Sequence, residues 1–269
     1  MNDKPEWLLS EALPHVAMQI RLALSNIHLA LNRLAPPDQR DGDTRLDENA
    51  AWLEQSYYRL LRLAKDLDEA PLLLRQEPLP MGNLDLVVWL DEVIRQAEPL
   101  FATRGVQLEI RCQERYVITA VNEHWLTQAL WHLLSNALCA TPKGGTVAVT
   151  LAVQQRSVLL RVADTGSGIR PEQLETLHDG CGHPENWKWG TSGLGLGLPL
   201  VQHIVHLHGG QLLLESHDGT RITLVLPLRR TENVLAQPAT DYAGGFQPAL
   251  LELSDGLPAQ AFLIKHLDQ

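Results

Sequence analysis

This sequence has few cysteines. It also lacks an excess of positive charge and has no long apolar run. The three cysteines, Cys112, Cys139 and Cys181, are scattered without CxxC spacing, which excludes a disulfide framework and indicates a reducing compartment. The start carries no signal-peptide apolar segment, and no apolar run approaches the ~18 residues that span a bilayer. Lys and Arg number 22 against 32 Asp and Glu, and the net charge of −10 argues against a nucleic-acid partner. We therefore expect a soluble, cytoplasmic protein with no membrane segment and no membrane-crossing sensor of its own.

Two helices are predicted near the start of the chain, joined by a breaker-rich loop over residues 36–43. The first helix carries apolar residues at steps of three or four: Leu9, Leu13, Val16, Ile20, Leu24, Ile27, Leu31 and Leu34. The second carries Ala50, Leu53, Tyr57, Leu60, Ala64 and Leu67. Because two helices alone bury little apolar surface, we expect a homodimer in which two hairpins form a four-helix bundle.

Helices and strands alternate from about residue 84 to residue 228. The predicted helices cover about 84–102, 125–138 and 198–208, and the predicted strands cover 106–110, 117–120, 146–153, 158–163, 211–215 and 221–226. This order predicts an α/β sandwich, in which a mixed sheet has helices on one face. The expected domains are a helical hairpin at 1–76, the sandwich at 77–229 and a C-terminal tail with one docking element at 230–269.

Three short segments stand out within the alternating region. Leu133-Leu134-Ser135-Asn136-Ala137 ends an apolar helix, and Asp164-Thr165-Gly166-Ser167-Gly168-Ile169 follows a strand. About thirty residues later, Gly193-Leu194-Gly195-Leu196-Gly197-Leu198 precedes another helix. Glycines let a backbone press against a phosphate or a base, and a helix N-terminus adds partial positive charge. Taken singly, the three segments equally fit a capped helix end, an Asp-Gly turn and a flexible linker.

In this order and at these spacings, the segments resemble the N, G1 and G2 boxes of the GHKL ATP-binding fold, the family of histidine kinases, gyrase, Hsp90 and MutL. The resemblance implies that the chain binds ATP and Mg²⁺. It assigns Mg²⁺ coordination to Asn136 and the adenine amino group to Asp164. Further nucleotide contacts fall to Gly166, Gly168, Gly193, Leu194, Gly195, Leu196 and Gly197.

Several positions depart from the pattern of the family. One turn before Asn136, where relatives often have a second asparagine, this chain has His132, a poorer Mg²⁺ ligand. The lysine and the aromatic residue that often follow are replaced by Cys139 and Ala140, which implies modest ATP affinity. Lys143 is the candidate to supply part of the missing charge.

Two groups of histidines resemble zinc ligand sets. His178, Cys181 and His183 lie between the glycine segments, where histidine kinases usually carry an aromatic box. Because these three crowd one glycine-rich loop with no distant fourth ligand, we do not expect zinc there. The residues His203, His206 and His208 fall on different faces of a helix, which is typical of core and solvent-exposed histidines.

The N-terminal hairpin resembles the dimerisation and phosphotransfer hairpin of sensor histidine kinases. Residues 18–27 align with the signature His-Glu-Leu-Arg-x-Pro-Leu-x-x-Ile through Ile, Arg, Leu and Ile. Met18 stands at the phosphoacceptor position, where a thioether accepts no phosphoryl group, and Gln19 replaces the carboxylate that acts as general base. His15 and His28 are the candidate substitutes, and the alternative is that both are surface histidines of the bundle.

Two functions follow from the resemblance. The first is a histidine-kinase-like, ATP-dependent protein histidine phosphotransferase of two-component signalling. The second is a degenerate pseudokinase that binds ATP and regulates another kinase or a response regulator by contact. A protein serine kinase of the anti-sigma type shares the ATP fold, but the hairpin argues against it.

Overall fold

The computed structural model describes residues 8–169, 195–232 and 247–267. Its α-helices are α1 (Leu13–Leu34), α2 (Pro37–Arg40), α3 (Thr44–Glu69), α4 (Leu86–Arg104), α5 (Glu123–Ala140), α6 (Gly197–Leu207), α7 (Pro248–Leu253) and α8 (Ile264–Leu267). Its strands are β1 (Gly82–Asp85), β2 (Gln107–Cys112), β3 (Ile118–Val121), β4 (Thr146–Gln154), β5 (Ser157–Asp164), β6 (Gln211–His217) and β7 (Gly219–Pro227). None of the helices in these three ranges combines the length and the apolarity that crossing a bilayer requires. The predicted class, a helical region followed by an α/β sheet domain, is confirmed.

The connection between α1 and α3 contains one helical turn that the sequence does not predict. Pro37–Arg40 form α2 within the segment that was expected to be a loop. A proline fits the first turn of a helix because the N–H that it lacks has no partner within the helix there. Asp43 then begins α3. Its Oδ1 accepts hydrogen bonds from the backbone N–H groups of Arg45 and Leu46, both at 3.0 Å, which is how a helix N-cap satisfies unpaired donors.

The helices α1 and α3 pack against each other as a hairpin, yet part of the predicted apolar stripe faces outward. The buried residues of α1 are Ala17, Leu24 and Leu31, which are seven residues apart and therefore form one narrow seam. The hairpin exposes nine large apolar side chains: Val16, Met18, Leu22, Ile27, Leu29, Leu34, Trp52, Leu53 and Leu60. This single chain thus leaves a second apolar surface of the hairpin in contact with solvent.

The main sheet has five strands in the order β2-β4-β5-β7-β6. The strands β2 and β4 are parallel, and the other neighbours are antiparallel. Alternate residues of β4, including Val147, Val149 and Leu151, are almost fully buried, as expected when helices cover one face of a sheet. A separate antiparallel pair joins β1 to β3, and β1 was not predicted because its four residues show too little alternation.

Residues 247–267 pack into the protein rather than lying along its surface. They form α7, a 3-10 turn (Ala259–Phe262) and α8, and they lie against α3, α4 and α5. Leu250, Leu253 and Phe262 are completely buried. The sequence predicts a tail with one docking element in this region. In the structure, three short helical pieces lie between the hairpin and the sheet domain.

Candidate functional site

Asp164 is the last residue of β5, where the strand leaves the sheet. Its Oδ1 accepts hydrogen bonds from the backbone N–H of Gly166 at 2.8 Å and of Thr220 at 3.2 Å. Its Oδ2 accepts no hydrogen bond from any residue that the structure describes. One carboxylate oxygen therefore fixes the turn, and the other is available to accept a hydrogen bond from a ligand.

Glycines bring three segments together around Asp164. A Cβ atom at Gly166 would lie 2.5 Å from the backbone oxygen of Ala140, at the end of α5. Gly219 has a φ of +97°, and a Cβ atom there would lie 2.0 Å from the backbone oxygen of Asp164. Only glycine allows both approaches. Gly168 also has a left-handed φ of +71°, next to Ser216. Gly219 was not predicted from the sequence, because it lies 55 positions from Asp164 in a turn that resembles any Asp-Gly turn.

Asn136 and the start of α6 line one cavity. Asn136 is exposed, whereas its chain neighbours on α5 are buried. A cavity of about 130 Å³ is bordered by Asn136, Gly195, Gly197, residues of α3, and Asp255, which follows α7. Because α6 begins at Gly197, its unpaired backbone N–H groups give this end of the cavity partial positive charge, which suits an anion. The structure thus places Asn136 beside the predicted phosphate segment, of which Gly193 and Leu194 lie outside the described residues.

Lys143 lies away from that cavity. A Cβ atom at Gly105 would come within 2.9 Å of the Lys143 Cγ, so the lysine stem crosses the turn after α4. Cys139 and Ala140, which replace the lysine and the aromatic of the family, line a larger cavity of about 660 Å³ that Asn136 also borders. Burial raises the pKa of the Cys139 thiol, and the nearby Asp255 adds to the shift. This thiol therefore supplies no charge to a nucleotide.

His132 faces the hairpin. It is buried, and its Nε2 lies 3.6 Å from an Oε2 atom of Glu69 on α3. Lys65 on the same helix pairs with Glu69 at 3.0 Å and with Glu252 of α7 at 2.9 Å. Burial alone would raise the pKa of Glu69, but Lys65 and His132 outweigh it and lower that pKa to about 2. This ionic cluster was not predicted, because no local pattern marks which charged residues of a helix will be buried.

The candidate phosphoacceptors occupy different environments on α1. Met18 is 54% exposed, and His15 is also exposed. His28 is partly buried: its ring stacks on Tyr57 at 4.7 Å, and its Nδ1 lies 4.0 Å from a carboxylate oxygen of Glu54. Burial lowers the pKa of His28. Its imidazole is therefore held against α3 by packing.

The histidines of α6 and of its C-cap have structural contacts. His208 is buried, and its Nε2 accepts a hydrogen bond from the backbone N–H of Asn122 at 3.0 Å. His203 donates from Nε2 to the backbone oxygen of Arg75 at 2.8 Å. Since both are engaged with backbone groups, they do not converge on a metal. The other zinc set, His178, Cys181 and His183, lies outside the described residues.

Comparisons with known proteins agree on one family. A family model described as "Histidine kinase-, DNA gyrase B-, and HSP90-like ATPase" matches residues 121–230. The "Histidine protein kinase DivJ" of Caulobacter vibrioides is 34% identical over 201 residues, which are 72% of this chain and 33% of that protein. The "Sensor protein IrlS" of Burkholderia pseudomallei is 28% identical over 225 residues, or 81% of this chain and 46% of that protein. The chain thus spans between a third and a half of the length of these relatives.

A solved structure shows the same fold over most of the chain. The crystal structure of full-length ShkA in complex with AMPPNP matches with a TM-score of 0.54 at 22% identity. The match covers 81% of this chain and 47% of that one. At this identity the match shows the fold alone. It extends beyond the region that the family model matches, because residues 121–230 make up less than half of the 269 residues.

Proposed function

Because residues 121–230 match the GHKL ATPase family and the relatives named above are a histidine protein kinase and a sensor protein, we propose that this chain binds ATP with Mg²⁺ and acts in two-component signalling. The observation that carries the proposal is the arrangement around Asp164 and Asn136. Asp164 has one carboxylate oxygen that accepts no hydrogen bond from a described residue, in a glycine-lined turn, and Asn136 faces a cavity at a helix N-terminus. These are the groups that an adenine amine and a metal-bound phosphate require.

Each predicted site residue receives one role in this proposal. The Oδ2 atom of Asp164 accepts the hydrogen bond from the adenine amino group, and Gly166 and Gly168 let the base approach the turn. The amide oxygen of Asn136, a neutral oxygen ligand, suits Mg²⁺, an ion that binds chiefly through phosphates and water. Mg²⁺ neutralises phosphate charge when it is bound. The phosphates lie along the segment that ends in Gly195, Leu196 and Gly197, and Lys143 contributes longer-range positive charge.

ATP binding without transfer to a histidine of α1 is the activity that the geometry favours. Met18 offers no nucleophilic nitrogen at the acceptor position, and Gln19 cannot take up a proton as a carboxylate does. His28 is stacked on Tyr57, so it must leave that contact before it reaches a nucleotide. The protein then regulates a response regulator or another kinase by binding. ATP-dependent histidine phosphotransfer is the second candidate, favoured by exposed His15 on the same helix.

Labelled ATP separates the two activities. In equilibrium dialysis with γ-labelled ATP and Mg²⁺, we expect the wild-type protein to retain ATP. After denaturation we expect no acid-labile, base-stable label, since both groups for the transfer are missing from α1. The His15→Ala and His28→Ala variants should behave like the wild type. Strong label that disappears in one of these variants would identify that histidine as the acceptor, and failure to retain ATP would contradict the binding proposal.

A homodimer through the hairpin completes the proposal, in a cytoplasmic protein. The support is the second apolar surface of the hairpin, which includes Met18, Leu22 and Leu29 on α1 and Leu53 and Leu60 on α3. Met18, Leu22 and Leu29 are spaced by four and seven residues, and Leu53 and Leu60 by seven. They therefore form one stripe on each helix, as in a four-helix bundle.

Charged substitutions in this stripe test the dimer. We expect the wild-type protein to be dimeric by light scattering at micromolar concentration, and the Leu22→Glu/Leu60→Glu variant to be monomeric, because burying unpaired carboxylates opposes association. Val88→Glu is the matched control, since Val88 is 67% exposed on α4, outside the hairpin. A monomeric wild type, or a double variant that remains a dimer, would show that the stripe is not the interface.

A further inference from the structure

Three potential metal ligands meet between the hairpin and the sheet domain. Asp66 and Glu69 are three residues apart on α3 and therefore share one face of that helix. His132 reaches the same place from α5. One ligand atom from each of the three residues lies within 4.8 Å of the other two. This cluster is separate from the predicted Mg²⁺ ligand Asn136, although Asp66, His132 and Asn136 all border the cavity of about 130 Å³.

Two of these ligands have a buried polar atom that makes no hydrogen bond with a described residue, although the Nε2 of His132 lies 3.6 Å from Glu69. His132 and Asp66 are only 2% and 6% exposed. The Nε2 of His132 and the Oδ1 of Asp66 make no hydrogen bond with any described residue. Buried polar atoms are satisfied in the great majority of cases, and an orphaned one costs roughly 1–3 kcal/mol. Arg62 Nε and Glu252 Oε2 nearby likewise make no hydrogen bond with a described residue. The atoms of His132 and Asp66 are the two that one bound ion can contact.

The charge of the cluster identifies that ion as a cation. Lys65 pairs with Glu69 and Glu252, and Arg62 lies 3.5 Å from a carboxylate oxygen of Asp255. Four carboxylates lie near these two cations: Asp66, Glu69, Glu252 and Asp255. Arg59 adds a third cation, since its guanidinium donates to the backbone oxygen of Asp255 at 3.4 Å. The carboxylates still exceed the cations, and buried unpaired charge is costly, so a bound cation suits the cluster.

The donor set selects the kind of ion. One imidazole nitrogen and two carboxylate oxygens suit a first-row transition metal, and Zn²⁺ is held by such groups at about 2.0–2.2 Å. Ligands on one tetrahedral Zn²⁺ are then about 3–4 Å apart, so the present spacing requires shifts of about 1 Å. The adjoining cavity leaves room for a water molecule as fourth ligand.

We propose that Asp66, Glu69 and His132 bind a Zn²⁺ ion that links helix α3 of the hairpin to helix α5 of the sheet domain. The ion bridges α3 and α5, so the hairpin and the sheet domain separate at this point only if a metal–ligand bond breaks. Its binding therefore fixes the hairpin against the face that carries Asn136. The site does not require nucleotide, so a test of Zn²⁺ binding is independent of the test of ATP binding.

Metal titration of the nucleotide-free, full-length protein tests the site. After treatment with a chelator, we expect one Zn²⁺ to bind per chain and to raise the melting temperature, because the ion binds the folded state. Co²⁺ in the same site should give visible absorption bands of a nitrogen- and oxygen-ligated ion. Loss of a direct ligand in His132→Ala should weaken binding by at least about 100-fold, since even outer-shell changes cost 10–100-fold.

Two matched variants locate the bound ion. Asp66→Asn keeps the volume of the side chain and removes its charge, so it should weaken Zn²⁺ binding even if His132→Ala folds poorly. His206→Ala removes an exposed histidine of α6 and should change nothing. Binding that persists in Asp66→Asn and disappears in Cys181→Ser would place the ion with His178, Cys181 and His183 and overturn the proposal. No binding to the wild type would show that protons, not a metal, balance the cluster.

Discussion

Replacement of Phe262 by alanine is expected to lower the free energy of unfolding by about 3–5 kcal/mol, the usual cost of emptying a buried phenylalanine site. Phe262 is completely buried, and its ring lies 5.4 Å from that of Tyr58 on α3. A loss of this size is a large part of the roughly 5–15 kcal/mol that stabilises a typical domain. The variant should therefore unfold at much lower denaturant concentration.

The effect is expected to be large because residues 247–267 are bonded to the hairpin as well as packed on it. The guanidinium of Arg40, which is 3% exposed, donates to the backbone oxygen of Phe262 at 2.9 Å. Gln55 donates to the backbone oxygen of Leu257 at 2.6 Å. Removing the Phe262 ring loosens the docked segment and so weakens the hydrogen bonds that Arg40 and Gln55 donate to it. A buried donor that loses its acceptor costs free energy of folding.

Denaturant unfolding followed by circular dichroism measures this loss. Gln260→Ala is the matched control, since Gln260 lies in the same 3-10 turn and its side chain is exposed. We expect its unfolding midpoint to stay near that of the wild type. Equal stability of the Phe262 and Gln260 variants would show that the C-terminal segment does not dock on α3.

The second large effect is expected at Asp164, where asparagine should weaken ATP binding roughly 10- to 150-fold, which corresponds to the 1.5–3 kcal/mol of a hydrogen bond to a charged group. Asparagine can still accept the hydrogen bonds of Gly166 and Thr220 through its Oδ1 atom. Its amide nitrogen then stands where the Oδ2 of Asp164 was, and it donates instead of accepting. The turn is kept, and recognition of the adenine amine is lost.

Calorimetry with a non-hydrolysable ATP analogue and Mg²⁺ measures the change. Asp91→Asn is the control for charge, because Asp91 is exposed on α4 away from the glycine segments. The same titration with GTP, which has an oxygen in place of the adenine amine, should give weak binding to the wild type. Equal affinity of wild type and Asp164→Asn for the ATP analogue would remove Asp164 from the site.

Local patterns in the sequence were enough to locate most elements. The helix predicted at 125–138 is α5, and the strands predicted at 146–153 and 158–163 are β4 and β5, each within two residues of its bounds. Helical and strand periods are properties of neighbouring residues, so they can be read from the sequence without knowing the fold. The N-box and glycine segments were identified by their resemblance to the GHKL boxes, and the family match over residues 121–230 agrees with that resemblance.

The residues that contact those segments could be identified only from the tertiary structure. Gly219 touches Asp164, and His132 touches Glu69, although 55 and 63 positions separate the two partners. No period in the sequence reports such contacts, because they depend on how whole elements pack. The same is true of the C-terminal segment, whose leucines show that it docks but not where.

The sequence by itself therefore determined the order of most elements and which segments resemble the N-box and glycine boxes of the family. Only the tertiary structure decided that one oxygen of Asp164 is used by the turn, that Lys143 lies over Gly105, and that a buried ionic cluster joins α3 to α5. The physical reason is the range of the forces involved. Backbone hydrogen bonding and side-chain periodicity act locally, whereas burial and charge pairing act between segments that meet only in the folded chain.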